Sequence, residues 1–221
     1  MSPRPKEKAW KHPAGGAVLE KTERGTLTLL SRCPPKLFRS LNLDSGLGSF
    51  PHYRSIIDKP AVFEKLASKK DGRVAVVLLN DEAIVAYAAC WYPEPGDRWN
   101  KLGDLMYEMG ALEVSRNFRG LHLAKRIFDA LMADDFFEDK IAYMNGFSWH
   151  WDLDGSGLTL GQYRKMMMKL LRRNGFGECY TNEPNIALRE ANFFMVRIGS
   201  RVSEENRGRF RNLRFGIVDR T

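Results

Sequence analysis

Residues Leu112 to Leu131 read LEVSRNFRGLHLAKRIFDAL, and the character of the chain changes halfway along them. A short apolar run leads into a polar bend that contains Arg119 and Gly120. Beyond the bend, Ala124, Ile127, Phe128 and Leu131 recur at the three-to-four spacing of one helix face. A strand that feeds directly into a bend and a helix leaves free backbone N–H groups at the helix N-terminus. Those donors, aligned with the helix dipole, favour a phosphate. Arg119 would add charge there, and Gly120 would permit close backbone approach.

The elements on either side suit an α/β (α+β) protein. GTLTLLS from Gly25 reads as a strand, and PPKLFRSL and KPAVFEKLASKK read as short helices, the second opening near Pro60. RVAVVLL, NDE and AIVAYAACWY read as a β-hairpin with a polar turn. LMYEMGALEV is the next strand, and the helix after the bend is expected from about Leu121 to Met132. KIAYMNGF is strand-like, SWHWDLDGSG is a polar and aromatic loop, and residues 158–173 read as a helix. Its stripe is Leu160, Tyr163, Met166, Met167, Leu170 and Leu171, and Gly175 is a plausible C-terminal cap. GECYT and NFFMVRIG give two more strands, and SEENRGRFRNLRF a last helix. A mixed central β-sheet flanked by helices accounts for this order. Residues 1–24 read as a flexible, charged N-terminal arm, and 25–221 as a single domain with a C-terminal helical extension.

The 221 residues suffice for a substantial core. No apolar run reaches the roughly 18 residues of a membrane span, and the N-terminus lacks a signal peptide's apolar centre. Three scattered cysteines argue against a disulfide framework, and with four scattered histidines they offer no metal-ligand spacing. A reducing cytoplasm is expected. The net charge of +8 asks for an acidic partner, yet no zinc-finger spacing or RNA-binding signature points to nucleic acid.

The bend V-S-R-N-F-R-G-L-H-L-A resembles motif A of the GNAT acetyltransferases, whose R/Q-x-x-G-x-G/A cradles the pyrophosphate of acetyl-CoA. Arg119 matches its first position and Ala124 its last, while His122 stands where the family usually has glycine. YPEPGDRW, EMGALEVSRNFRG, WHWDLDGSGL and NFFMVRIG together resemble the acetoin-utilization branch of that superfamily, from about Gly25 to Phe215. The resemblance implies a GNAT fold and acetyl-CoA as co-substrate. It also implies transfer to a lysine of acetyl-CoA synthetase, which switches that enzyme off. Cofactor contacts are then expected from Arg119, Gly120, Leu121, His122, Leu123 and Ala124, with strand N–H groups at Leu112 and Val114 as oxyanion donors.

A lysine acceptor must lose a proton before it attacks, because its unperturbed pKa is about 10.4. Glu108 lies eleven residues ahead of Arg119, the spacing at which lysine-acetylating GNAT enzymes carry a catalytic glutamate. Glu113 is the competitor. Regular strand alternation puts these two on opposite faces unless a bulge intervenes. Many GNAT enzymes carry a tyrosine four residues before a Gly-Phe pair; Leu171 occupies that position here, and Tyr163, two turns earlier, suits the core by its phase. His150 and Asp152 would orient substrate or belong to an aromatic-rich loop with its polar atoms satisfied, and His122 would donate to a phosphate or face water. A small-amine acetyltransferase and a non-catalytic acetyl-CoA or synthetase binder are the alternatives.

Overall fold

The computed structural model describes residues 17–217. Its strands and helices, in chain order, begin with β1 (Ala17–Thr22), β2 (Gly25–Leu30), β3 (Asn42–Leu43), β4 (Ser49–Phe50), β5 (Tyr53–Arg54), α1 (Pro60–Ala67), β6 (Arg73–Leu79) and β7 (Ala83–Trp91). Then follow β8 (Met106–Val114), α2 (Leu123–Met132), β9 (Ile141–Gly146), α3 (Leu153–Ser156), α4 (Leu160–Arg172), β10 (Gly177–Glu178), α5 (Pro184–Ala187), β11 (Phe193–Ile198) and α6 (Glu204–Leu213).

One large sheet runs in the order β1-β2-β6-β7-β8-β9-β11-β10, with β3 added in parallel beside β7. All the pairs along that path are antiparallel except β8 with β9. The hairpin β6–β7 turns through Asn80, Asp81 and Glu82; Asn80 and Asp81 are both left-handed (φ 51° and 60°), and the Glu82 N–H closes the turn on the Leu79 carbonyl. Strand β6 is buried on both sides, and its alternation divides the core. Ala75 and Val77 face the layer formed by α2 and α4, where Ile127, Phe128, Leu131, Met168 and Leu171 lie. Val74, Val76 and Leu78 face α1, with Phe38, Phe63 and Leu66. Further along this second face, Phe210 and Leu213 of α6 pack with Trp99, Tyr143 and Phe194.

Local signals account for the helix ends. Thr159 and Gln162 form a reciprocal capping box at the start of α4. At its other end Gly175 adopts φ 81°, and the Phe176 N–H returns to the Leu171 carbonyl.

The structure corrects several expectations. Ala17–Thr22, inside the stretch read as an arm, is a strand paired with β2, and residues 1–16 lie outside the described residues. The segment PPKLFRSL forms a 3-10 helix, and α2 begins at Leu123 rather than Leu121. On α4 the stripe is displaced: Met168 and Leu171 are buried, whereas Leu160 and Met166 are exposed. The SWHWDLDGSG loop contains a 3-10 turn and α3, and it buries Trp151 and Asp152.

Strand β8 is irregular where it matters. Ala111 pairs with Ala89 and Met109 with Cys90, so Gly110 is an extra residue bulged out of register. A Cβ at Gly110 would lie 2.0 Å from Cζ2 of Trp91. Pairing of β8 with β9 covers only Met106–Glu108 against Ile141–Tyr143, and the two strands part beyond that point. Gly110→Ala should therefore destabilise the fold by about 1–3 kcal/mol, the range for overpacking a tight core. Thermal melts check this, with roughly 2–4 °C expected per kcal/mol at this chain length.

Candidate active site

Where β8 and β9 part, a cleft of about 450 Å³ opens between the β8–α2 turn and the wall formed by α4 and the preceding loop. Leu112, Glu113 and Val114 line it from β8, and Arg119, Gly120, His122, Leu123 and Ala124 from the turn. Thus seven of the eight expected cofactor residues meet in one cavity. Leu121 does not line it; its side chain packs against the core. Tyr53, His150, Trp151, Asp152 and Tyr163 are among the residues of the other walls.

The turn is shaped for close approach by a ligand. Gly120 has φ 86°, and a Cβ there would meet nothing within 4 Å, so conformation rather than space calls for glycine. His122, at the N-cap of α2, is also left-handed (φ 55°, ψ 26°). This conformation costs a non-glycine residue about 1–2 kcal/mol, and histidine is among those that adopt it more readily. Histidine at a position usually held by glycine therefore keeps a left-handed turn instead of abolishing it. His122 gives no side-chain cap, so the first N–H groups of α2 remain directed at the cleft end.

Arg119 donates from Nη2 to Asp152 (2.5 Å), and its Nη1 is buried without a hydrogen-bond partner. Burial works to raise the Asp152 pKa, but the hydrogen bonds from Arg116 and Arg119 outweigh it and hold the carboxyl below its usual range. Asp152 is thus engaged by arginines rather than paired with His150. An orphaned guanidinium nitrogen, uncapped helix N–H groups and open space over Gly120 fit an anionic, phosphate-bearing group such as the expected co-substrate. Among the described residues no cluster of three His, Cys, Asp or Glu side chains suits a metal.

The two glutamates lie on the same side of the sheet, not on opposite sides. Glu113 pairs across from Tyr87 and Glu108 from Trp91, four residues apart, because the Gly110 bulge resets the alternation. Their surroundings differ. Glu113 Oε2 accepts from Ser55 and Tyr87, each at 2.5 Å. Burial raises its pKa, and the Ser55, Tyr87 and Tyr53 hydroxyls pull in the other direction, with a raised value as the net result. With those donors in place Glu113 anchors the 53–55 segment to the cleft.

Glu108 lines a second cavity of about 550 Å³ together with Asp97, Trp99, Tyr143 and Glu183. Burial, then the charges of Asp97 and Glu94, push its pKa to about 7. Since Glu108 and Tyr143 are the last paired residues of β8 and β9, this cavity also adjoins the point where the strands part.

Tyr163 is half-buried against the core, as its phase on α4 suggests, with its ring stacked on Trp151 at 5.2 Å, and it also lines the cleft. Tyr53 and Ser55 are not marked by the sequence because the two-residue strand β5 has no periodic pattern, and Tyr87 is legible there only as a strand residue. The WHWD block stands out in the sequence, but nothing in it marks Asp152 as a partner for the arginines.

No family model matches the chain. It is 32% identical over 197 residues to the acetoin utilization protein AcuA of Bacillus subtilis (strain 168), covering 88% of this chain and 91% of that protein. Identity to the acetoin utilization protein AcuA of Bacillus licheniformis is also 32%, over 196 residues, with the same coverage. A crystal structure of an acetoin utilization protein from Exiguobacterium sibiricum superposes with a TM-score of 0.80 at 30% identity, covering 90% of this chain and 93% of that one. The mixed sheet flanked by helices is the architecture that the GNAT resemblance implied.

Glu108 also makes a stability prediction. Its folded pKa of about 7 lies above the ordinary 4.5, so folding disfavours the ionised form. The associated stability is fully present below pH 4.5 and is lost as pH rises through 7. Relative to wild type, Glu108→Gln should gain on the order of 2–3 kcal/mol between pH 4 and pH 8. Denaturant titrations at the two pH values measure the difference.

Proposed function

The chain belongs to the AcuA family of acetoin utilization proteins, and from that premise we propose that it is an N-acetyltransferase that moves the acetyl group of acetyl-CoA to a lysine of acetyl-CoA synthetase. One observation carries this reading: two cavities of different character flank the gap between β8 and β9. The first has a basic, phosphate-suited end at Arg119 and the start of α2. The second carries Glu108 beside Asp97, with Arg98 paired to Glu183 and Lys101 also in its lining, and Glu108 is the group there suited to taking a proton from an amine.

In this scheme Arg119, Gly120 and the N–H groups from His122 to Ala124 hold the phosphates, and the bound co-substrate supplies an acetyl thioester. Glu108 accepts a proton from the lysine ammonium, directly or through water. The freed amine forms the N–C bond, its nitrogen releases the second proton to water, and the C–S bond breaks. Backbone N–H groups of the Leu112–Val114 stretch oppose the charge that gathers on the carbonyl oxygen. We assign Tyr163, a hydroxyl of the cleft wall, as the donor to the departing sulfur. Glu113, already surrounded by hydroxyl donors, serves the cleft's shape rather than proton transfer.

Incubation of the protein with labelled acetyl-CoA and folded synthetase, followed by mass spectrometry and a synthetase assay, tests the proposal. One acetylated lysine and a fall in synthetase activity are expected. Labelled small amines with an untouched synthetase would replace this reading with a small-amine acetyltransferase. Inhibition without acetylation would make the protein a binding regulator. Glu108→Gln should lower turnover by about 10²–10⁴-fold, the usual cost of losing a general base, and leave acetyl-CoA affinity unchanged. A base must be deprotonated to act, so wild-type turnover should climb as pH rises through about 7.

A further inference from the structure

Asp152, from the WHWDLDGSGL block, has a placement that proton transfer does not use. Only 3% of it is exposed. It accepts from the Gly155 N–H at 3.0 Å, and two guanidinium groups converge on its carboxylate. Arg116 makes two hydrogen bonds to it (2.9 and 2.5 Å), and Arg119 makes one of 2.5 Å. The arginines come from the turn between β8 and α2, and Asp152 from the opposite wall of the cleft. The carboxylate therefore ties the two walls together. Gly155 is fitted to this pair: a Cβ there would lie 2.2 Å from Asp152 Oδ2 and 2.3 Å from Arg116 Nε. The ring of Phe50, on β4, covers the Arg116 guanidinium at 3.6 Å.

We propose that Asp152 is a positioning residue for co-substrate binding: it fixes the Arg119 guanidinium so that the unpartnered Nη1 is presented to a phosphate. This rests on the reading of the cleft as the acetyl-CoA site. An arginine left free in a cleft loses side-chain entropy when a ligand immobilises it. Here that ordering belongs to folding, because Nη2 is already committed to a buried partner. Two guanidiniums share this one carboxylate, so the unpartnered Nη1 of Arg119 still attracts an anion.

Calorimetry of the full chain with acetyl-CoA tests the proposal, with melts of the ligand-free variants confirming that they fold. Asp152→Asn should raise the Kd at least tenfold, and kcat at saturating acetyl-CoA should stay within about twofold. Combined with Arg119→Gln, it should add almost nothing to the loss from Arg119→Gln alone, because one residue acts through the other. Gly155→Ala, which crowds the same pair while keeping both charges, should weaken binding in the same direction, and it carries the test if Asp152→Asn does not fold. Unchanged or tighter binding by these variants would overturn the proposal and make Asp152 a competitor for Arg119. Full additivity with Arg119→Gln would overturn it too, by placing the effect elsewhere. If wild type bound no acetyl-CoA, the cofactor reading itself would fail and this inference with it.

Discussion

The parting of β8 from β9 after three paired residues is the constraint on which the rest of the site depends. A sheet normally satisfies every strand edge inside it, because unpaired backbone groups are costly when buried. Here the edge of β8 beyond Glu108 is released into a cleft instead. The Gly110 bulge bends the strand at this place, and Trp91 occupies the space that any larger residue would need. The same bulge decides which way the carboxylates point. Without it Glu108 and Glu113 would straddle the sheet; with it they share one side and are separated by their partners.

Those partners give each carboxyl a distinct character. Asp152 is buried but held by two arginines, which keep it ionised. Glu113 is encircled by hydroxyl donors from the 53–55 segment and β7. Glu108 lacks a cation of comparable strength and has Asp97 and Glu94 for neighbours, so its proton is held to about pH 7. A half-buried carboxylate of that kind costs stability at neutral pH, a pattern typical of groups placed for chemistry rather than for the fold. His122 follows the same pattern on the backbone side: a left-handed histidine is a strained choice, and it sits at the start of the helix that faces the cleft.

The strand, bend and helix around Arg119 were legible from the sequence because hydrophobic period and punctuation agree there. So were the β6–β7 hairpin, with its polar Asn80-Asp81 turn, and the C-terminal cap at Gly175. The short strands between Asn42 and Arg54 were not, since two-residue strands carry no period, and Tyr53 and Ser55 were lost with them. Strand β1 was hidden because its sequence, AVLEKT, lies at an edge and is mostly half-buried. The orientation of Glu108 relative to Glu113 was not decidable either: a bulge depends on how Gly110 meets Trp91 across the sheet, a contact that spacing alone does not reveal. Nor does WHWD announce that its aspartate answers two arginines more than thirty residues earlier.

The central claim is that donor and acceptor occupy separate cavities on either side of one gap, with the donor held over the start of α2. Hydrogen–deuterium exchange with and without acetyl-CoA tests it most directly. The account predicts slowed exchange of the backbone amides at 112–114 and 120–126, and no change at 96–101 or 183–185 around the second cavity. Protection centred on the second cavity, or none at the start of α2, would contradict it.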